Sequence, residues 1–378
     1  MELTIDREEL MEGLARVHGV ADRKSSMPVL ANVLLETEGP GGLRISATDL
    51  HMGITGVVPA QVVQGGSTTA SARTMFDIVR NLPNGEVHLV VDQNQWLEVR
   101  CGRVRYRIAG IPAEDFPELP SSEDVEFFCL DAVMLGRMIE RTAFAVSPDE
   151  GRPHLNGALF EGGDRKLLMV ATDGHRLSLV DQVVERDGGI ASFSMLVPLK
   201  AIHELRRMLE EGPGDVEIGA YGPNAFFRRH LAGAGEGVET EVTMNVKLVD
   251  ARFPPYQKVI PASSQYSIAV DRTALLEALR RTALISHDKS VALRIIFRGN
   301  GLTVTSDNPD VGEAREEVDA QYDGNEQTMG FNGRYLMDVL SALDCDAVRL
   351  AISGPTDACV ITPVEGDGYL GVVMPMRL

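Results

Sequence analysis

The sequence predicts an α+β protein made of three copies of one unit, each combining two helices with several antiparallel strands. Three observations predict it. A strand-end motif occurs three times at similar intervals, each occurrence is flanked by one helix upstream and one downstream, and the short strands alternate with turns instead of crossover helices. The motif reads Leu43-Arg44-Ile45-Ser46-Ala47-Thr48-Asp49, Leu167-Leu168-Met169-Val170-Ala171-Thr172-Asp173 and Leu302-Thr303-Val304-Thr305-Ser306-Asp307. Its aspartates lie 124 and then 134 residues apart.

The flanking elements recur in the same order. A first helix with apolar residues at three-to-four spacing starts at an Asp suited to the N-cap: Asp6 (Leu10, Leu14, Val17), Asp131 (Leu135, Met138, Ile139) and Asp271 (Leu275, Leu276, Leu279). An extended segment follows each: Val29 to Thr37, His154 to Glu161, and Val291 to Arg298. After the motif strand comes a second helix, Arg73 to Leu82, Pro198 to Leu209, and Asn332 to Leu343. A short turn with Gly or Asp then leads into β-rich sequence at Glu86 to Val91, Val216 to Gly219 and Ala347 to Ile352. The Pro-rich stretches Pro112 to Ser122 and Phe253 to Ser264 read as linkers. The expected domains are therefore 1–121, 122–252 and 253–378.

A chain of 378 residues is long enough for two or three domains, and 44% hydrophobic residues argue against disorder as the main state. With 36 Lys+Arg against 55 Asp+Glu, the net charge of −19 excludes a generally basic nucleic-acid binder. One Trp and 5% aromatics argue against an aromatic platform for single strands. Neither a basic n-region nor an apolar h-region opens the sequence, and no apolar run is long enough to span a membrane, so a cytoplasmic location is expected. Cys101, Cys129, Cys345 and Cys359 form no Cys-x-x-Cys pair, which points to buried reduced thiols and no zinc.

Motifs for nucleotide binding, phosphate loops, serine hydrolases and zinc proteases are absent, and the eight histidines have no metal-ligand spacing. No cofactor or metal is expected. The one segment with a catalytic look is Thr172-Asp173-Gly174-His175-Arg176. Asp-Gly is also a strong turn signal, so the competing reading is a hairpin with a polar tip. Asp173 and His175 would need a third orienting group to act as an acid/base pair, and the sequence offers none.

Ala171-Thr172-Asp173-Gly174-His175-Arg176-Leu177 and the carboxy-terminal Val372-Val373-Met374-Pro375-Met376-Arg377-Leu378 resemble the bacterial DNA polymerase III β subunits, the sliding clamps. So do Met27-Pro28-Val29-Leu30, Asp115-Phe116-Pro117, Leu155-Asn156-Gly157 and Arg252-Phe253-Pro254. The resemblance covers the whole chain. It implies a DNA clamp fold, a head-to-tail homodimer closed into a ring around duplex DNA, and a non-enzymatic role tethering the replicative polymerase for processivity. Partners implied are double-stranded DNA without sequence preference, the polymerase III α subunit, the clamp loader and other proteins carrying the clamp-binding peptide. A repeat-built peptide-binding scaffold that never encircles DNA is the alternative.

For DNA contact the resemblance points to Lys24 and Arg73; charge and location add Arg23, Arg80, Arg137, Arg141, Arg152, Lys200 and Arg207. The sequence departs from the family pattern at Arg152-Pro153-His154 and Leu199-Lys200. The partner-peptide positions that match are Leu155, Thr172, Gly174, His175, Arg176, Leu177, Pro254, Lys258, Val259, Asn332, Tyr335, Val360, Val372, Val373, Met374, Pro375, Met376, Arg377 and Leu378. Interface positions are Tyr106 and Ile108 toward Leu284 and Ile285, with Arg103 and Arg105 expected opposite Glu313, Glu316 and Glu317. The charges of the six expected helices cancel, so the acidic excess belongs to sheets and loops.

Overall fold

The computed structural model describes residues 1–184, 190–232, 239–286, 291–366 and 368–377. The expected helices form as α1 (Arg7–Val17), α2 (Ala72–Asn81), α3 (Ala132–Thr142), α4 (Leu199–Leu209), α5 (Arg272–Ala283) and α6 (Gly333–Ser341). Asp6, Asp131 and Asp271 sit one residue before their helices. Each accepts a backbone N–H of the first turn, at 2.7 Å from Glu8, Met134 and Ala274. Ser71 and Asn332 do the same for α2 and α6. Caps of this kind contribute about 1 kcal/mol each.

By contact the chain divides into two compact units, Met1–Leu135 with His203–Leu248, and Gly136–Ile202 with Val249–Leu378. The central repeat is thus shared between them. The first unit holds one 13-stranded antiparallel sheet. Its order is β10 (Phe128–Asp131), β15 (Asp215–Tyr221), β16 (Asn224–Ala232), β17 (Glu239–Lys247), β4 (Met52–Pro59), β3 (Gly42–Thr48), β2 (Asn32–Glu38), β6 (Ser67–Ser71), β9 (Val104–Ile111), β8 (Trp96–Cys101), β7 (Glu86–Val91), β1 (Glu2–Asp6) and β5 (Gln61–Gln64).

The second unit holds a 12-stranded sheet. Its order is β14 (Ile190–Pro198), β11 (Gly157–Asp164), β12 (Lys166–Thr172), β13 (Arg176–Val183), β25 (Tyr369–Val373), β24 (Cys359–Pro363), β23 (Ala347–Ile352), β18 (Tyr266–Asp271), β21 (Gly312–Gln321), β20 (Gly301–Asn308), β19 (Ala292–Arg298) and β22 (Gln327–Asn332). The periodic apolar residues are buried: Leu10, Leu14 and Val17 on α1, and Leu275, Leu276 and Leu279 on α5.

One contact recurs in all three repeats. The first N–H of the first helix donates to a carbonyl in the turn after the second helix: Arg7 to Gly85 (3.0 Å), Ala132 to Gly214 (2.9 Å) and Arg272 to Asp346 (2.8 Å). An arginine completes the closure by donating to carbonyls at the end of the second helix and in the turn after it, where helical partners run out. Arg7 reaches Val79 and Arg80, and Arg272 reaches Leu340 and Cys345. The central repeat has Ala132 at that position, and Arg229 of β16 takes over. Its guanidinium donates to the carbonyls of Met208 (2.8 Å), Gly212 (2.8 Å), Leu209 (3.2 Å), Pro213 (3.2 Å) and Asp215 (3.4 Å). Arg229 is 1% exposed, and burial lowers its pKa from the ordinary arginine value, an effect that Glu211 opposes.

Two expectations need correction. The Pro-rich stretches are seated on the sheets instead of acting as free linkers: Phe116 is buried, and Phe253, Tyr256 and Ile260 pack on an apolar cluster of the second unit. Among the cysteines, Cys101 and Cys359 are buried, but Cys129 and Cys345 are only half-buried.

Replacing Arg229 with Met strips five carbonyls of a donor inside the first unit. The expected loss is about 3–5 kcal/mol of stability, read from the denaturant midpoint of that unit's transition. Arg7→Met and Arg272→Met, at half-buried positions with two carbonyls each, are expected to lose about 1–2 kcal/mol.

Candidate functional site

The candidate peptide-binding residues lie in the second unit, and strand register explains their grouping. Thr172 pairs with Leu177, Leu177 with Val372, and Val372 with Val360. Directly paired residues share a face, so four expected positions form one row across β12, β13, β25 and β24. Ser178, one residue on, faces the other way and donates its hydroxyl to the Arg141 carbonyl of α3. The row therefore lies on the sheet face away from that helix. Leu159, Val170, Leu177, Ala358 and Val372 form its apolar floor, with Phe253, Tyr256 and Ile260 packed against it. Burial and the nearby Glu161 push the Tyr256 hydroxyl pKa up to about 12, so it remains a donor to Glu161 Oε2 at 3.2 Å.

The Asp-Gly turn supplies the polar side. Gly174 takes φ +92, a conformation that favours glycine. The Thr172 hydroxyl accepts from the Gly174 N–H and donates to the Arg176 carbonyl at 2.6 Å. Asp173 Oδ1 accepts the N–H groups of His175 (2.8 Å) and Arg176 (3.0 Å), while Oδ2 accepts from Arg176 Nε at 3.1 Å. Both carboxylate oxygens are engaged in the turn, so Asp173 does not orient His175 and the hairpin reading holds over the acid/base one.

Arg176 organises the neighbourhood. Its guanidinium donates to Asp173, Asp338 and the Phe144 carbonyl, and lies 4.6 Å from the Tyr335 ring centroid and 5.2 Å from that of Phe144. The exposed His175 ring is 6.3 Å from Tyr335 and nearly parallel to it. Met374 N–H donates to the His175 carbonyl (2.9 Å), and Met376 N–H to the Gly330 carbonyl of β22 (2.8 Å). The carboxy-terminal residues thereby link the start of β13 to the edge of β22.

The expected positions divide by role. Leu155, Thr172, Leu177, Val360, Val372 and Val373 are buried; Gly174, His175, Lys258, Val259, Met374 and Arg377 are exposed; Pro254, Tyr335, Pro375 and Met376 lie between. Asn332 caps α6, its Oδ1 accepting the Arg334 N–H. Leu378 lies outside the described residues. Sequence reasoning missed Asp338 and Phe144, the partners of Arg176, because neither stands in a motif. Of the 253–260 wall it named Pro254 but missed Phe253, Tyr256 and Ile260, although two aromatics inside a Pro-rich stretch were a visible signal.

The basic candidates differ in their engagements. Arg23 and Lys24 are exposed after α1, Arg73 and Arg80 are exposed on α2 where both approach Asp77 at 3.5 Å, and Arg137 and Lys200 are exposed on α3 and α4. Arg141 pairs with Asp344, and Arg152 folds onto Asp149, Ser147 and the Asp173 carbonyl. Arg207 pairs with Glu204 and donates to the Arg16 carbonyl that ends α1. On the helices as folded, net charges are −1, +1, +1, +2, +2 and 0 for α1 to α6, a total of +5. The capping aspartates together with Glu210 and Glu211 fall outside the helical bounds.

Besides the strands that end each sheet, β9 and β21 leave most of one edge unpaired among the described residues. Val104–Ala109 of β9 pair with β8 on one side only, and only Gly110 and Ile111 meet β6. Gly312–Asp319 of β21 pair with β20 only, before Ala320 and Gln321 meet β18. Tyr106 is 41% exposed on the first edge; Leu284, ahead of the second, is 80% exposed. Among the expected interface charges, Arg105 pairs with Glu98, Glu316 with Arg281, and Glu317 with Arg298 and Arg315 within the chain.

Three α+β repeats, with a buried row beside an Asp-Gly turn across the second and third and with unpaired edges on β9 and β21, define a protein of the clamp class. Family models for the DNA polymerase III beta subunit match residues 1–120 (N-terminal domain), 130–255 (central domain) and 257–377 (C-terminal domain). The chain belongs to the DNA polymerase III β subunit family. It is 37% identical to the beta sliding clamp of Pseudomonas aeruginosa strain PAO1 and 36% identical to that of Escherichia coli K12, each over 100% of both chains. The crystal structure of the P. aeruginosa sliding clamp bound to griselimycin superposes with a TM-score of 0.91 at 34% identity, covering 100% of both chains.

Changing Arg176 to Leu leaves Asp173 and Asp338 without their cation and the turn without its brace. The expected result is a loss of about 2–3 kcal/mol in the second unit, with weaker clamp-binding peptide affinity. Denaturant melts and peptide titration check the two effects separately.

Proposed function

We propose that this protein is a DNA sliding clamp and processivity factor, working as a head-to-tail homodimeric ring that encircles duplex DNA. Full-length membership in the family is the observation that carries this reading. The open edges of β9 and β21 support the dimer. One edge ends the first repeat and the other lies in the third, so pairing them in two chains is a heterologous contact that closes after two subunits. Tyr106 and Ile108 supply apolar surface on one side, Leu284 and Ile285 on the other. Arg103 and Glu313, which have no ion pair among the described residues, are the charges best placed to meet across it.

The helical charge of +5 supports an inner surface tolerant of phosphates, while a remainder of −24 repels stray DNA. Lys24, Arg73, Arg80 and Arg137 are the principal proposed contacts, with Arg23 and Lys200 beside them. Arg141, Arg152 and Arg207 come second because they are less exposed than Arg73 and Arg80 and lie closer to their protein partners. A few exposed cations give weak, sequence-independent attraction and leave retention to enclosure. A polymerase tethered through the row Thr172–Leu177–Val372–Val360 and the Met374-Pro375-Met376 tail rebinds at an effective concentration in the millimolar range. The residues described here bind and position; the proposed role requires no bond-making step.

The test is retention on DNA. The protein loaded on circular duplex should survive a rise from 50 to 200 mM salt and leave when the circle is cut. A protein held only by phosphate contacts loses roughly 10³–10⁵ in affinity over that range and stays indifferent to cutting, which overturns the ring. Leu284→Asp should convert the dimer to monomer by sedimentation, with a shift in emission from Trp96, the sole tryptophan and a neighbour of the β9 edge.

A further inference from the structure

Beside β22 lies a cleft of about 640 Å³ that adjoins the candidate peptide residues and extends past them to Arg294 and the β23–β24 turn. Arg294 of β19 stands directly opposite Gly330 of β22, so its cross-strand neighbour carries no side chain to pair with the guanidinium. Thr328 lies two residues away on the same face. Pro355 and Thr356 line the cleft from the β23–β24 turn, and Pro375 and Arg377 line it from the carboxy-terminal tail. Two guanidiniums and two hydroxyls line this cleft without any Asp or Glu. Neither Arg294 nor Arg377 makes an ion pair among the described residues, and both are exposed.

The cleft is continuous with the partner-binding residues, since Pro375 and Met376 belong to both. Met376 is fixed to Gly330 by its backbone N–H, which holds Arg377 on the cleft side of the tail. An extended peptide leaving the apolar row past Met374 and Met376 would therefore run onto the cationic surface of Arg294 and Arg377. We propose that this cleft is a flanking subsite that reads acidic residues in the segment adjoining the apolar core of a clamp-binding peptide. This rests on the reading of the Thr172–Val360 row as a peptide slot. Arg294 and Arg377 act as carboxylate-binding groups, with Thr328 and Thr356 hydroxyls donating to the same oxygens. Selectivity follows from charge: an amide or basic flank gains nothing at the cleft, while the core still occupies the slot.

The test uses two fluorescein-labelled decapeptides with one Leu/Phe-containing core and a flank bearing either two Asp or two Asn, titrated by anisotropy against the intact protein at 50 mM salt. The acidic peptide should bind about three- to tenfold tighter, given the modest gain per exposed ion pair. Arg294→Gln should erase that advantage and leave the Asn peptide's affinity unchanged, and 300 mM salt should shrink it in the wild type. Equal binding of the two peptides, or an advantage that survives Arg294→Gln, overturns the subsite while leaving the slot intact. Failure of both peptides to bind overturns the slot itself. If Arg294→Gln changes neither peptide's affinity but weakens duplex DNA binding, the cleft serves phosphate and the inference is wrong.

Discussion

Each repeat depends on closing its helix pair at one point. The first N–H of the leading helix meets a carbonyl in the turn that follows the second helix, and an arginine satisfies the carbonyls left over. Without that closure, the ends of two short helices would leave backbone groups unpaired against a sheet, each worth roughly 1–3 kcal/mol. Short helices of 9 to 12 residues draw most of their stability from packing. Their mutual orientation must therefore be fixed before the apolar faces can meet. The central repeat shows that the constraint is physical and not tied to one residue: position 132 is Ala, yet an arginine from β16 reaches the same class of carbonyls from another direction.

The same economy of form shows in the turns that end the motif strands, where one residue sets the second repeat apart. Thr48-Asp49 builds the turn that Thr172-Asp173 builds, with matching bonds from the Thr hydroxyl to the carbonyl four residues on and from two N–H groups to Asp Oδ1. What differs is the residue four positions after the Thr, Met52 in one case and Arg176 in the other. The arginine locks Asp173, reaches Asp338 on α6 and stacks on Tyr335, which turns a generic hairpin into a rigid, charged rim beside an apolar floor. In the first repeat the third residue of the turn is Leu50 at φ +72, a strained choice where the second repeat has Gly174. The third copy has drifted further, with Asn308 making the turn bond in place of the aspartate.

Much of this was legible in the residues. Apolar periodicity and capping aspartates placed all six helices within two residues, because burial and caps are local in sequence. The row of four was legible only as a resemblance, since register depends on how β13, β25 and β24 align across nearly two hundred residues of chain. The division of roles within the site was not legible at all. Nothing local says that Leu177 and Val372 face the 253–260 segment while Ser178 faces α3. The Pro-rich stretches misled for a physical reason: proline marks a break in regular structure, yet Phe116, Phe253 and Tyr256 bury well in an irregular backbone.

Charge is where composition and structure pull furthest apart. A net charge of −19 argues against binding a polyanion. Yet the helices as folded carry +5, because the acidic residues at their ends serve as caps or lie beyond the last turn. Asp6, Asp131 and Asp271 belong there on energetic grounds, at the positive end of a helix where a carboxylate is stabilised. Acidic residues are thereby concentrated at helix starts, and within the bounds of α2 to α5 Arg and Lys outnumber the single Asp or Glu that each contains. A tight grip on phosphates would stop such a protein from sliding, and a uniformly basic surface would bind DNA wherever it met it. Weak positive helices within an acidic chain avoid both outcomes, so the helix caps that stabilise the fold also partition its charge for function.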